Sequence, residues 1–183
     1  FHDIPFTAGA PAIRKVRVGF LGSPTLHKGW PIFQQLVREH FRDIDFYYLG
    51  EMAPTDQNVE WVRVSADREN PSATMADAVA QNEIDHALVW SLCPETFCLT
   101  AYEAIAGGAN VITHPDAGNV PALVGATGCG VVLANESALS DHFADLANAS
   151  PRPIVWRGAR AELRHSKLTF DVIALLARQA GSQ

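Results

Sequence analysis

The sequence predicts an α/β fold: a mostly parallel sheet flanked by helices. Three observations predict it. Short β-rich runs alternate with helical stretches along most of the chain. Several of those stretches close on glycine, as at Gly22, Gly50 and Gly107-Gly108. The composition, 48% hydrophobic and 19% charged over 183 residues, suits one globular domain with a real core. Strands that alternate with helices imply right-handed βαβ units, hence parallel pairing.

The elements follow in order. Residues Phe1 to Lys15 read as a linker or a returning terminal segment. Val16 to Leu21 is a short strand ending at Gly22. Pro31 to Phe41 is a helix, with Ile32, Phe33, Leu36 and Val37 at helical spacing and Pro31 in its first turn. Asp45 to Leu49 and Val59 to Val64 are strands. Thr74 to Gln81 is a helix, with its N-cap expected around Ser72. His86 to Trp90 is a buried strand, where His86 is expected to be a satisfied structural histidine. Thr100 to Ala106 is a helix capped by Gly107-Gly108. Asn110 to Thr113 and Gly130 to Leu133 are strands, and Gly125 to Gly130 between them reads as a turn. Helices are expected over Ser137 to Asn148 and Ala159 to Arg178.

Composition also excludes partners. The formal charge is −6, from 14 basic and 20 acidic residues, and no basic block is present. That argues against duplex DNA or RNA as a ligand. No apolar run reaches transmembrane length, and Phe1 to Pro11 lacks the order of a signal peptide. A start at Phe rather than Met is the expectation for a cut-out fragment or a processed chain. Cys93, Cys98 and Cys129 lack metal-ligand spacing and read as reduced thiols of a cytosolic protein.

A parallel sheet binds ligands at the carboxyl ends of its strands, so the chemistry is sought in three loops. The first, Gly22-Ser23-Pro24-Thr25-Leu26-His27-Lys28-Gly29, joins a strand to a helix. Its glycines admit a ligand close to the backbone, and Lys28 is a point charge suited to phosphate. A plain turn with a solvated lysine fits the same residues. The second, Pro94 to Glu103, carries Glu95 in a turn and Glu103 eight positions later. At helical rise the two carboxylates would stand roughly 10 Å apart, enough to bracket a diphosphate, with the N–H groups of the intervening turn facing its charge. Alternatively Thr100 and Glu103 form a capping box and Glu95 is a surface acid. The third, Pro115 to Pro121, reads as a connector. Neither a P-loop nor a dinucleotide-binding glycine pattern is present.

Three stretches, FLGSPTLHKGW, VWSLCPETFCLTAYEAIAGGANVIT and DAGNVPALVGATGCGVVL, occur in this order. They resemble the carboxyl-terminal, donor-binding domain of the retaining group 1 glycosyltransferases of GT-B architecture. That family shows a strand ending in Gly, a Lys-Gly pair opening a helix, an E-x7-E spacing and a Glu-Ala-x-Ala-x-Gly helix end. The likeness implies a Rossmann-like nucleotide-sugar-binding domain over Val16 to Gln183, one half of a GT-B enzyme. It implies that Lys28 contacts the donor diphosphate and Glu95 the hydroxyls of the transferred sugar, the two catalytic positions. Gly22 and Ser23 would line the phosphate loop, the backbone of Phe97, Cys98 and Leu99 would face phosphate, and Glu103 would bind the ribose. No metal and no cofactor beyond the nucleoside-diphosphate sugar is implied. Base recognition is expected from the loop near Ser65 to Asn70.

The likeness has departures. Family members often carry Arg where this chain has Ser23, and Glu in the loop that here reads Asn119-Val120-Pro121-Ala122. The implied partner is an amino-terminal acceptor-binding domain, not contained in this sequence. A cytoplasmic location follows from the likeness, and peripheral association with the inner face of the membrane through that other half is left open. Two alternatives stand beside the transferase: a non-catalytic Rossmann-like scaffold, and half of a GT-B sugar-nucleotide epimerase.

Overall fold

The computed structural model describes residues 12–64 and 74–154, together with residues 2–3, 158 and 161–162. In chain order the elements are β1 (His2–Asp3), β2 (Ala12–Arg14), β3 (Val16–Leu21), a single 3-10 turn (Leu26–Lys28), α1 (Trp30–His40), β4 (Ile44–Gly50), β5 (Val59–Arg63) and α2 (Met75–Gln81). They continue as β6 (His86–Leu88), α3 (Leu99–Ala106), β7 (Asn110–Thr113), α4 (Val120–Thr127), β8 (Gly130–Val132), α5 (Glu136–Asn148), β9 (Arg152–Ile154) and β10 (Ala161–Glu162).

Six strands form one parallel sheet in the order β5-β4-β3-β6-β7-β8. The fold is α/β and Rossmann-like. The chain winds outward from β3 to β5, then returns to lay β6 on the other flank of β3. The order therefore reverses between β3 and β6, the place where such sheets take ligands at the carboxyl ends of their strands.

Side-chain alternation explains why both faces are covered. On β3, Val16, Val18 and Phe20 point to one face and are 1% exposed or less. They pack with Phe33, Leu36 and Val37 of α1 and Leu139, Phe143 and Leu146 of α5. Leu21, Leu49 and Val111 join the opposite cluster, with Val79 of α2, Ala101 and Ile105 of α3, and Val124 of α4. An aromatic group ties α1 and α5 to the sheet: the Phe46 ring lies 5.6 Å from Phe33 and 6.3 Å from Phe143. Such rings bury large apolar areas and favour edge or offset contacts.

Several expectations are corrected. The cap of α2 is Thr74, not Ser72: the Thr74 side chain accepts from Asp77 N–H while the Asp77 carboxylate accepts from Thr74 N–H. The stretch from Gly125 to Gly130 is not simply a turn. Val120–Thr127 is a helix with Pro121 in its first turn, and only Gly128 adopts the left-handed terminal conformation. Ala161–Glu162, expected in a helix, is a strand paired with His2–Asp3. The remainder of that expected helix, the loop near Ser65 to Asn70 and Ser72 itself lie outside the described residues. Of the amino-terminal segment, read as a linker or a returning terminal segment, Ala12–Arg14 pairs antiparallel with Arg152–Ile154.

The amino end of the sheet is held by charge. The Arg14 guanidinium donates to both Asp85 carboxylate oxygens at 2.7 and 3.0 Å, and Arg17 N–H donates to the same carboxylate at 2.9 Å. Next to them His86 is not satisfied as expected. Its Nδ1 is buried with no hydrogen-bond partner among the described residues, and its ring lies 6.3 Å from His142. Burial pushes the His86 pKa from 6.5 down to about 4, and His142 and Arg152 add to the fall against an opposing pull from Asp85. As pH drops below 6.5, the unfolded chain therefore binds this proton before the folded one does. Stability should be full above pH 6.5 and decline towards about pH 4. Urea unfolding at a series of pH values should show this decline, and His86→Leu should flatten it.

Candidate functional site

Two loops and a supporting third meet beyond the carboxyl ends of β3 and β6. The first loop leaves β3 at Gly22 and runs through the 3-10 turn into α1. Gly29 caps that helix with φ of 85°, and a Cβ on it would stand 2.3 Å from the Trp90 carbonyl oxygen. Only glycine allows both the left-handed backbone and that approach. This explains the Lys-Gly pair: Gly29 presses the loop onto the end of the β6 segment, and Lys28 is carried to the second loop. A backbone bond from Leu92 N–H to the His27 carbonyl, 2.8 Å, joins the two loops.

Lys28 Nζ donates to Glu95 Oε1 at 2.5 Å. The same oxygen accepts from Ser91 Oγ at 2.7 Å. Ser91 is 2% exposed, and His114 Nε2 donates to its carbonyl at 2.8 Å. The Glu95 side chain is 12% exposed and that of Lys28 37%. Burial acts to raise the Glu95 pKa, but the hydrogen bonds from Lys28 and Ser91 and the nearby positive charge outweigh it and hold the carboxyl below its usual range.

The third loop, expected to be a mere connector, grips the backbone around Glu95. Gly118 pairs with Glu95 in an isolated parallel bridge, Asn119 N–H donates to the Glu95 carbonyl at 2.9 Å, and Asn119 Nδ2 donates to the Thr96 carbonyl at 2.6 Å. Gly118 has φ of 69°, and an added Cβ would lie 2.3 Å from the Glu95 carbonyl oxygen.

Beside this ion pair lies an open cavity of about 420 Å³ over the carboxyl ends of β3, β4 and β5. Gly22, Ser23 and Pro24 form one wall, Tyr48, Gly50, Glu51 and Met52 another, and Leu99 and Glu103 of α3 a third. None of its described lining residues is Lys, Arg or His. The Glu103 carboxylate has no hydrogen-bond or ionic partner among the described residues, and burial raises its pKa. It is not half of a capping box. The helix begins at Leu99 with Cys98 as its cap, which places Thr100 inside the first turn.

The expected residues thus fall into two neighbouring places. Lys28 and Glu95 meet between the first two loops; Gly22, Ser23, Leu99 and Glu103 line the cavity. The two glutamates do not border one cavity together. Phe97 and Cys98 lead into α3: the Phe97 ring is 61% exposed and stacks on Tyr102 at 4.7 Å, while Cys98 is buried. The first N–H groups of α3 have no acceptor within the helix. Ser91, His114 and Asn119 were missed as contributors, because their role is to hold Glu95 and no local spacing signals that. Glu51, which follows β4 closely enough to line the cavity, was not among the expected residues either. Among the described residues no group of three His, Cys, Asp or Glu could hold a metal ion, and no helix is long and apolar enough to cross a membrane.

Two measurements probe this geometry. Gly118→Ala should destabilise the chain by about 1–3 kcal/mol, since it combines a strained backbone with a clash at Glu95. Gly125→Ala, where an added Cβ meets nothing within 4 Å, should instead stabilise α4 by about 0.5–1 kcal/mol; urea midpoints check both. Glu103→Gln should melt at a higher temperature than the wild type at pH 7 to 8. A carboxyl whose pKa is raised on folding costs stability while ionised, so the two curves should converge below about pH 4. Compared with known proteins, the chain matches no family model and no curated protein.

Proposed function

We propose that this chain is the donor-binding half of a glycosyltransferase that moves a sugar from a nucleoside-diphosphate sugar to an acceptor. The observation that carries the reading is the pairing of Lys28 with Glu95 at the point where the strand order reverses. An ammonium suited to phosphate oxygens and a carboxylate suited to sugar hydroxyls stand within one hydrogen bond of each other. The adjoining cavity supports it. Its volume, the apolar Met52, Val64 and Leu99, and the carboxylates Glu51 and Glu103 suit a base and a ribose. On this reading the nucleoside occupies the cavity and the diphosphate passes Ser23 towards Lys28. There the sugar's hydroxyls meet Glu95, and the ammonium stabilises charge on the departing diphosphate. The acceptor and the walls that exclude water would come from a second domain.

One observation favours a different reading, a non-catalytic Rossmann-like module. The cavity lining holds no described cation, Ser23 stands where a second one is expected, and Lys28 is already paired. A diphosphate would find little uncommitted positive charge.

Titration calorimetry with UDP, GDP, ADP and dTDP separates the two. The transferase reading expects one of them to bind. Lys28→Ala should then weaken binding about tenfold or more, the scale of a hydrogen bond from a charged group. Glu103→Ala should weaken it too. A folded chain that binds none of the four would turn the assignment to the scaffold.

A further inference from the structure

The Lys28–Glu95 pair is asymmetric. Glu95 is held from two sides, by Ser91 at its side chain and by Gly118 and Asn119 at its backbone. It is also the more enclosed partner, at 12% against 37% exposure. Lys28 has a flexible stem and, among the described residues, no other hydrogen bond or ion pair from its side chain. An arriving anion would therefore draw the ammonium and leave the carboxylate in place. A bare diphosphate that draws Lys28 away leaves a half-enclosed carboxylate without its counter-charge, which is unfavourable. A diphosphate that carries a polyol supplies hydroxyl donors to that same carboxylate as the ammonium leaves.

We infer that Glu95 is a specificity determinant acting by competition: it occupies Lys28 in the empty site and so suppresses the binding of diphosphates that bring no hydroxyls to replace the ammonium. The identity of the ligand as a sugar diphosphate rests on the function proposed above; the competition itself concerns any diphosphate. Its physical content is a difference in free energy between two partners for one ammonium, the only kind of term by which a ligand can select a state.

The test uses the full chain and two replacements, Glu95→Gln, which keeps an acceptor for Ser91, and Glu95→Ala, which does not rely on how an amide turns. Each is checked for folding by circular dichroism. Inorganic pyrophosphate is titrated calorimetrically first, then the four nucleoside diphosphates and their glucose conjugates. Both variants should bind pyrophosphate about tenfold more tightly than the wild type. That gain should vanish when Lys28→Ala is added, as expected for a coupled pair. The preference for a sugar-bearing nucleotide over the bare one should shrink. Variants that fold but bind pyrophosphate no better than the wild type would overturn the inference, even if nucleotides bind. A gain for pyrophosphate with no nucleotide bound by any form would uphold the competition and sink the nucleotide-sugar reading.

Discussion

The site depends on two places where one backbone lies against another with no room for a side chain. At Gly29 the first loop rests on the Trp90 carbonyl; at Gly118 the third loop rests on the backbone of Glu95. These approaches clamp the second loop from both sides. Without the first, Lys28 would be a surface lysine on a turn. Without the second, Glu95 and Thr96 would lose the hydrogen bonds that Ala117 and Asn119 make to them. The ion pair is the product of that clamping. Both side chains are delivered by independently anchored backbones, which lowers the entropy lost when they meet.

Charge is sorted along the carboxyl edge of the sheet. Over β3 and β6 a cation and an anion face each other; over β3, β4 and β5 the described cavity lining is acidic and apolar. On the proposed reading, a neutral nucleoside followed by a diphosphate would have only one favourable direction in such a field. Phosphate in the cavity would meet Glu51 and Glu103, and an apolar base over Lys28 would strip water from an ammonium with no compensation. Orientation would thus be set by electrostatics before any specific contact with the base.

The amino edge of the sheet carries charge of another kind. Arg14, Arg17, Glu83 and Asp85 bond mainly to one another and to the carbonyls of neighbouring turns. They tie the β2 strand to the turn before β6 and so brace the central pair of strands from below. The His86–His142 contact beside them stores an acid-sensitive burden away from the ligand edge. Ionisable groups at the amino end therefore brace the fold, while Lys28, Glu95, Glu51 and Glu103 lie at the end where parallel sheets take ligands.

Much of this was legible in the order of residues. Alternating strands and helices, glycine stops and the apolar faces of α1 and α5 are local signals, so fold class and most element boundaries could be read directly. Lys28-Gly29 and the Glu95 to Glu103 spacing could be read as candidates, because a loop between a strand and a helix in such a sheet faces the ligand edge. What the sequence could not state was which candidates meet. Lys28 and Glu95 are 67 positions apart, and their contact is decided by β6 returning to the flank of β3. Glu95 and Glu103 share one stretch of chain, yet the turn before α3 sends one to the ion pair and the other to the cavity. The helix Val120–Thr127 was hidden because Pro and Gly dominate its flanks and its eight residues include Gly125; packing of Leu123 and Val124 against the sheet outweighs that weak propensity. Local pattern determines which elements form, since it acts through neighbours in the chain. The site arises from long-range strand order and close backbone contacts, and only the folded chain brings those together.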